Sequence, residues 1–189
     1  MKRFKFVLFS ILGILAFGVY LHAGDLDPVF HSREEVKFKI PVGRSFDYTN
    51  IVVKRVVDGD TLVLASGERV RLIGIDTPEI HDSNKLDRDS KRSQQSTSEI
   101  KAMGQLSYKF TQDLVEGKAV SLEFDVERQD RYKRLLAYVY LKDGTFVNAE
   151  IVKEGYASLM TYPPNVKYAD LFLKLYREAR ENKRGLWKD

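Results

Sequence analysis

Between Asp58 and Glu79 the chain carries four carboxylates, Asp58, Asp60, Asp76 and Glu79, and one arginine, Arg71. Asp60 and Asp76 offer hard oxygen ligands in a chain without cysteine and with three histidines. Such a donor set suits Ca²⁺ or Mg²⁺ rather than zinc, and two protein carboxylates leave coordination positions for water and a phosphate oxygen. Glu79, three residues after Asp76, can take a proton from water beside that metal. Arg71, five residues before Asp76, can bind a phosphate through two parallel hydrogen bonds. Carboxylates at strand ends are also common turn formers, and Asp58 fits that reading. His81 reads as a loop residue before it reads as a ligand or base.

The elements that position these residues are legible around them. Ile51–Val57, Thr61–Ala65 and Arg69–Ile75 are short runs rich in Val, Ile and Leu, with alternation of period two, which predicts strands. Asp58-Gly59 and Ser66-Gly67 are turn dipeptides, so the stretch predicts a three-strand meander with its carboxylates at the strand ends. Ile80–Ser98 is polar and mixed in charge, which predicts a long mobile loop; it reads equally as a substrate-facing loop and as a solvated insertion. A helix is expected over Glu99–Glu116, capped by Thr97 or Ser98, with Ile100, Met103, Leu106, Phe110 and Leu114 as its buried stripe. Strands follow at Ala119–Val126 and Leu135–Lys142. Further helices are expected at Val147–Glu154, with Asn148 near its cap, and at Tyr168–Lys183, with Trp187 packing the end of the chain. Five strands with a helix between the third and fourth predict an α+β fold: an OB-type Greek-key barrel with three α-helices.

The ends of the chain carry other information. Met1-Lys-Arg-Phe-Lys5 is basic, Phe6–Leu21 is uncharged and largely apolar, and His22-Ala-Gly24 closes the run with small residues. This is the layout of an export signal, either cleaved or retained as an N-terminal anchor. The expected organisation is residues 1–24 as signal or anchor, 25–50 as linker or arm with Val36–Ile40 as a possible added edge strand, and 51–189 as the domain. The expected location is secreted, periplasmic, or anchored on the outer side of the cytoplasmic membrane. The 31 basic residues exceed the 27 acidic ones by four, but Lys2, Arg3 and Lys5 account for three of these, leaving 28 against 27. Global charge therefore does not argue for nucleic acid; only a local basic site can.

Two strings carry a family resemblance: Asp58-Gly-Asp-Thr61 with Arg71-Leu-Ile-Gly-Ile-Asp76-Thr77-Pro78-Glu79, and Asp130-Arg-Tyr-Lys-Arg134-Leu-Leu-Ala-Tyr138. In this order they resemble the staphylococcal nuclease (thermonuclease) family, from about Val52 to Trp187. The resemblance implies an OB-type barrel that hydrolyses DNA and RNA phosphodiesters with Ca²⁺, leaving 3′-phosphates. It implies Asp60, Asp76 and the Thr77 carbonyl as Ca²⁺ ligands, Glu79 as general base, and Arg71 and Arg134 as donors to the scissile phosphate. Tyr132 and Tyr162 match positions that line the nucleotide pocket, and Asp58 would sit just behind the metal. Two positions depart from the pattern. Lys133 stands where the family commonly has glycine, which is unfavourable if the backbone there has positive φ. Met160 stands where the reference nuclease has a tyrosine.

The expected function is thus an exported Ca²⁺-dependent nuclease acting as a monomer on DNA or RNA. One alternative is a non-catalytic barrel that binds nucleic acid or protein at the cell envelope; another is an anchored envelope scaffold. Degenerate binding copies should lose members of the acid–arginine set, and this chain keeps Asp60, Arg71, Asp76, Glu79 and Arg134.

Overall fold

The computed structural model describes residues 48–188. The expected signal segment and the suggested edge strand Val36–Ile40 lie outside the described residues; of the expected arm, residues 48–50 open the first strand. The elements run β1 (Tyr48–Asp58), β2 (Thr61–Leu64), β3 (Arg69–Leu72), β4 (Gly74–Asp76), α1 (Asn84–Ser93), α2 (Thr97–Val115), β5 (Ala119–Glu123), β6 (Leu135–Leu141), α3 (Val147–Lys153), β7 (Ser158–Met160) and α4 (Ala169–Glu181). A 3₁₀ turn, Gly185–Trp187, follows. Five strands close a barrel in the order β1-β2-β3-β6-β5. Its pairs are antiparallel except β3 with β6, where Val70 faces Leu135 in a parallel ladder. The class is the expected α+β barrel, with four α-helices among the described residues instead of three.

Val53, Leu62, Leu64, Val70, Leu72, Val120, Leu122, Ala137 and Val139 fill the barrel. Each fully buried Val or Leu contributes roughly 1.5–3 kcal/mol of transfer free energy. The simple alternation expected of β1 does not hold along its length. Val53 and Val56 both point inward while Lys54 and Arg55 are exposed, because the register with β2 shifts between Val53 and Arg55. A bulge puts one extra residue on one strand and re-phases everything after it.

The third expected strand, Arg69–Ile75, is two strands. Gly74 has φ +84°, where a β-carbon would lie 2.5 Å from the Phe172 ring. The chain leaves the barrel there, and β4 pairs with β7 through Gly74–Met160, Ile75–Leu159 and Asp76–Ser158. On an unbroken strand, residues five apart face opposite ways. The break at Gly74 is what lets Arg71 and Asp76 share one side.

Two helical expectations change. The segment 80–98 is not a structureless loop: Asn84–Ser93 is helical, with the Ser83 hydroxyl accepting from Leu86 N–H and Leu86 buried as its single apolar anchor. With Leu86 as the only apolar residue among ten, the segment offers no apolar stripe to recognise, so its polar composition hid it. The following helix is capped by Ser96, which forms a reciprocal capping box with Glu99. Its buried stripe is Ile100, Gly104, Ser107, Thr111 and Val115, one position off the larger residues, and Leu106 is exposed. Small residues face inward because the helix lies close to backbone: Thr111 Oγ1 donates to Gly59 O at 2.8 Å and Ser107 Oγ to Tyr156 O at 2.7 Å.

Asn148 is not a cap. It is fully buried within α3, accepts from Val139 N–H at 3.0 Å and donates to Ile73 O at 3.0 Å. Those bonds satisfy the Ile73 carbonyl just past β3 and the Val139 N–H within β6. Trp187 packs as expected at the end of the chain, edge-on to Tyr176 at 5.4 Å.

Candidate active site

One cleft of about 1010 Å³ gathers Asp60, Arg71, Asp76, Thr77, Glu79, Tyr132, Arg134 and Tyr162 along its walls. Every residue singled out from the sequence for catalysis, metal binding or substrate contact therefore faces one space.

Asp60 is buried at the β1–β2 turn. Its Oδ1 accepts from Thr61 Oγ1 at 3.1 Å and lies in ion contact with Arg71 Nη1. Its Oδ2 accepts from Thr77 N–H at 2.8 Å and Thr77 Oγ1 at 3.2 Å. Burial opposes its charge, but Arg71 and these donors hold its carboxyl below the usual carboxylate range. Asp58 behind it behaves oppositely: burial, then the Asp60 charge, push it up to about 7, although it accepts from Asp60 N–H at 3.1 Å. Asp76 is also raised, because burial outweighs the attraction of Lys85 and Arg71. Arg71 donates from Nη2 to Asp76 Oδ1 at 3.1 Å and touches Met160 Sδ at 3.8 Å. Its buried Nη1 rests on Asp60, so both terminal nitrogens of Arg71 lie against carboxylates.

Lys85, on α1, was not singled out from the sequence. Its ammonium donates to the Thr77 carbonyl at 2.9 Å and lies 3.1 Å from Asp76 Oδ1 and 3.3 Å from Glu79 Oε1. Desolvation works against its charge, but Asp76, Glu79 and Asp60 together raise its pKa. Its signal lay only in a helix start too polar to recognise.

Among the described residues, no group of three or more His, Cys, Asp and Glu side chains is set to hold a metal ion. The donor set expected from the sequence is two carboxylates, Asp60 and Asp76, with the Thr77 carbonyl, and all three line the cleft. Its chemistry fits a hard cation: all donors are oxygen, and a cationic ammonium already rests on Asp76 and the Thr77 carbonyl.

The opposite wall is the turn before β6. Asp130 shapes it, accepting from Tyr132 N–H at 2.9 Å, Arg134 N–H at 3.0 Å and Arg134 Nε at 2.7 Å. Lys133 adopts φ +64°, the left-handed conformation that glycine takes most easily. Arg134, the next residue, lines the cleft all the same. With Nε engaged by Asp130, the two terminal nitrogens of Arg134 form the edge left for a ligand. Tyr132 and Tyr162 are both exposed, at 64% and 69%. Asn165 joins their two loops: its side chain accepts from Glu127 N–H and donates to Glu127 O, both at 2.8 Å. That clamp has no sequence signal beyond an asparagine after Pro163-Pro164. His81 is exposed and outside the cleft lining.

The family described as "Staphylococcal nuclease homologue" matches residues 69–189. A thermonuclease of Staphylococcus intermedius is 38% identical over 139 residues, covering 72% of this chain and 74% of the relative. A thermonuclease of Staphylococcus hyicus is 33% identical over 138 residues, 71% of this chain and 73% of its own length. The endonuclease YncB of Bacillus subtilis is 36% identical over 143 residues, 73% of this chain and 61% of its own.

Proposed function

The chain belongs to the staphylococcal nuclease family, and we propose that it is a Ca²⁺-dependent nuclease that hydrolyses phosphodiester bonds of DNA, RNA or both. The observation that carries this is the convergence of Asp60, Arg71, Asp76, Glu79 and Arg134 on one cleft. Asp60, Asp76 and the Thr77 carbonyl would hold the ion. When bound, Ca²⁺ would supply positive charge beside the phosphate and the attacking water. Glu79, partly exposed on the cleft wall, takes the proton from that water at a carboxylate oxygen. As water adds to phosphorus the P–O5′ bond breaks, the 3′-phosphate stays on one fragment, and the departing oxygen takes a proton from solvent. Arg71 and the terminal edge of Arg134 donate to the non-bridging oxygens as these gain charge. Tyr132 and Tyr162, exposed on one rim, offer faces for the bases on either side.

The test is incubation of the purified protein with single- and double-stranded DNA and with RNA, in Ca²⁺ and in chelator. Cleavage that needs Ca²⁺ and leaves 3′-phosphates is expected. Full cleavage in excess chelator would remove the metal from the reading, and none under any condition would favour a binding barrel.

Residues 1–24 are read as directing export, supported by Lys2, Arg3 and Lys5 ahead of the apolar run Phe6–Leu21. Among the described residues no helix is long and apolar enough to cross a membrane. Fractionation of cells decides the point: protein outside the cytoplasm or in membranes is expected, and full-length protein soluble in the cytoplasm would refute it.

A further inference from the structure

Lys85 reaches into the site from α1, the one helix the sequence did not disclose. Ser83 caps that helix and Leu86 anchors it in the interior, so residue 85 is held at its first turn beside the cleft. From there the ammonium touches Asp76, the Thr77 carbonyl and Glu79 at 2.9–3.3 Å. Two of these oxygens belong to the proposed Ca²⁺ set and the third to the proposed base. Each lone pair that accepts an ammonium hydrogen is withheld from a metal, and a divalent ion beside a fixed ammonium meets like-charge repulsion. We propose that Lys85 is a tethered counter-ion of the metal site: it neutralises Asp76 and Glu79 in the metal-free protein and is displaced when Ca²⁺ binds. This rests on the reading of Asp60, Asp76 and Thr77 as the ligands. Its flexible four-carbon stem lets the ammonium swing away without unfolding α1. The consequence is a metal affinity set below what the oxygen donors alone would give, by the fraction of molecules in which Lys85 is already withdrawn.

Calorimetric titration of the whole chain with CaCl₂, without nucleic acid, tests this on wild type, Lys85→Met, Arg88→Met and Asp60→Ala. Methionine keeps a similar stem and removes the charge. Arg88 lies on the same helix and lines the same cleft, with no ion pair to Asp76 or Glu79 among the described residues. Lys85→Met should bind Ca²⁺ about tenfold or more tightly than wild type, as expected when a competing state is removed. Arg88→Met should stay within about threefold, the small effect of an exposed charge. In wild type, acylation of the Lys85 amine, read by peptide mass spectrometry, should speed up when Ca²⁺ saturates the site. Equal affinities for wild type and Lys85→Met, or equal gains in Lys85→Met and Arg88→Met, overturn the proposal while the ligand assignment stands. Asp60→Ala binding as tightly as wild type overturns the ligand assignment and the proposal with it. Should Lys85→Met fail to fold, the acylation decides: a rate unchanged by Ca²⁺ overturns the proposal.

Discussion

Arg134 shows how much of a site one residue's identity carries and how much its neighbours add. Its type and place were legible in the sequence. The contact that orients it, Nε to Asp130 at 2.7 Å, would by itself suit a charged turn with no part in catalysis. In the structure Asp130 takes one edge of the guanidinium and leaves the other at the cleft. Arg134→Lys should therefore lower turnover by about 10²–10³, the loss typical of one preorganised donor at a developing oxyanion. Melting temperature should barely move. Turnover within about threefold of wild type, far short of that loss, would return Arg134 to the turn alone. Asp130 makes a separate claim about pH. Burial opposes its charge, but Arg134 and the backbone donors hold its pKa below the usual 3.8. The sign follows: a carboxyl lowered on folding stabilises the protein above its unfolded value, and the gain is lost as pH falls through the folded one. Asp130→Asn should be less stable than wild type by roughly 1–2 kcal/mol at pH 7. Denaturation across acid pH should show the two curves converging below the usual carboxylate pKa of 3.8; a constant gap would mean that the charge contributes nothing.

At the scale of elements, what the sequence disclosed was apolar periodicity, and what it hid was close packing and changes of direction. The barrel strands carry enough Val, Ile and Leu to declare themselves. The break at Gly74 does not, because a glycine in a strand run is compatible with a straight strand until Phe172 is packed on it. Helix α1 was hidden because it buries only Leu86. The true face of α2 was hidden because it is built of glycine, serine and threonine, which carry little hydrophobic signal. Gly104 shows what that face does for the site: a β-carbon there would lie 2.6 Å from Glu79 O and 2.8 Å from Pro78 O. The helix approaches the segment bearing Glu79 so closely that only hydrogen fits. Gly104→Ala should gain helix propensity yet destabilise the protein by about 1–3 kcal/mol through overpacking, and turnover should fall as Glu79 shifts. Chemical denaturation and kinetics on the one variant check both. An alanine variant as stable and as active as wild type would show that the segment gives way freely.

For the whole molecule, a closed barrel and its flanking helices bring residues from distant parts of the chain onto one cleft, where Glu79 is the proposed proton acceptor. The family and the barrel were legible in two short strings. The internal cation Lys85 and the Asn165 clamp were not, because each acts through a contact between segments with no shared pattern. Glu79→Gln tests the central claim most directly, since it keeps the side chain's shape and removes the proton acceptor. Turnover of a phosphodiester substrate at saturating Ca²⁺ and saturating nucleic acid should fall by about 10²–10⁴, the typical worth of a general base, with nucleic-acid affinity unchanged. Turnover equal to wild type under those conditions would contradict the account.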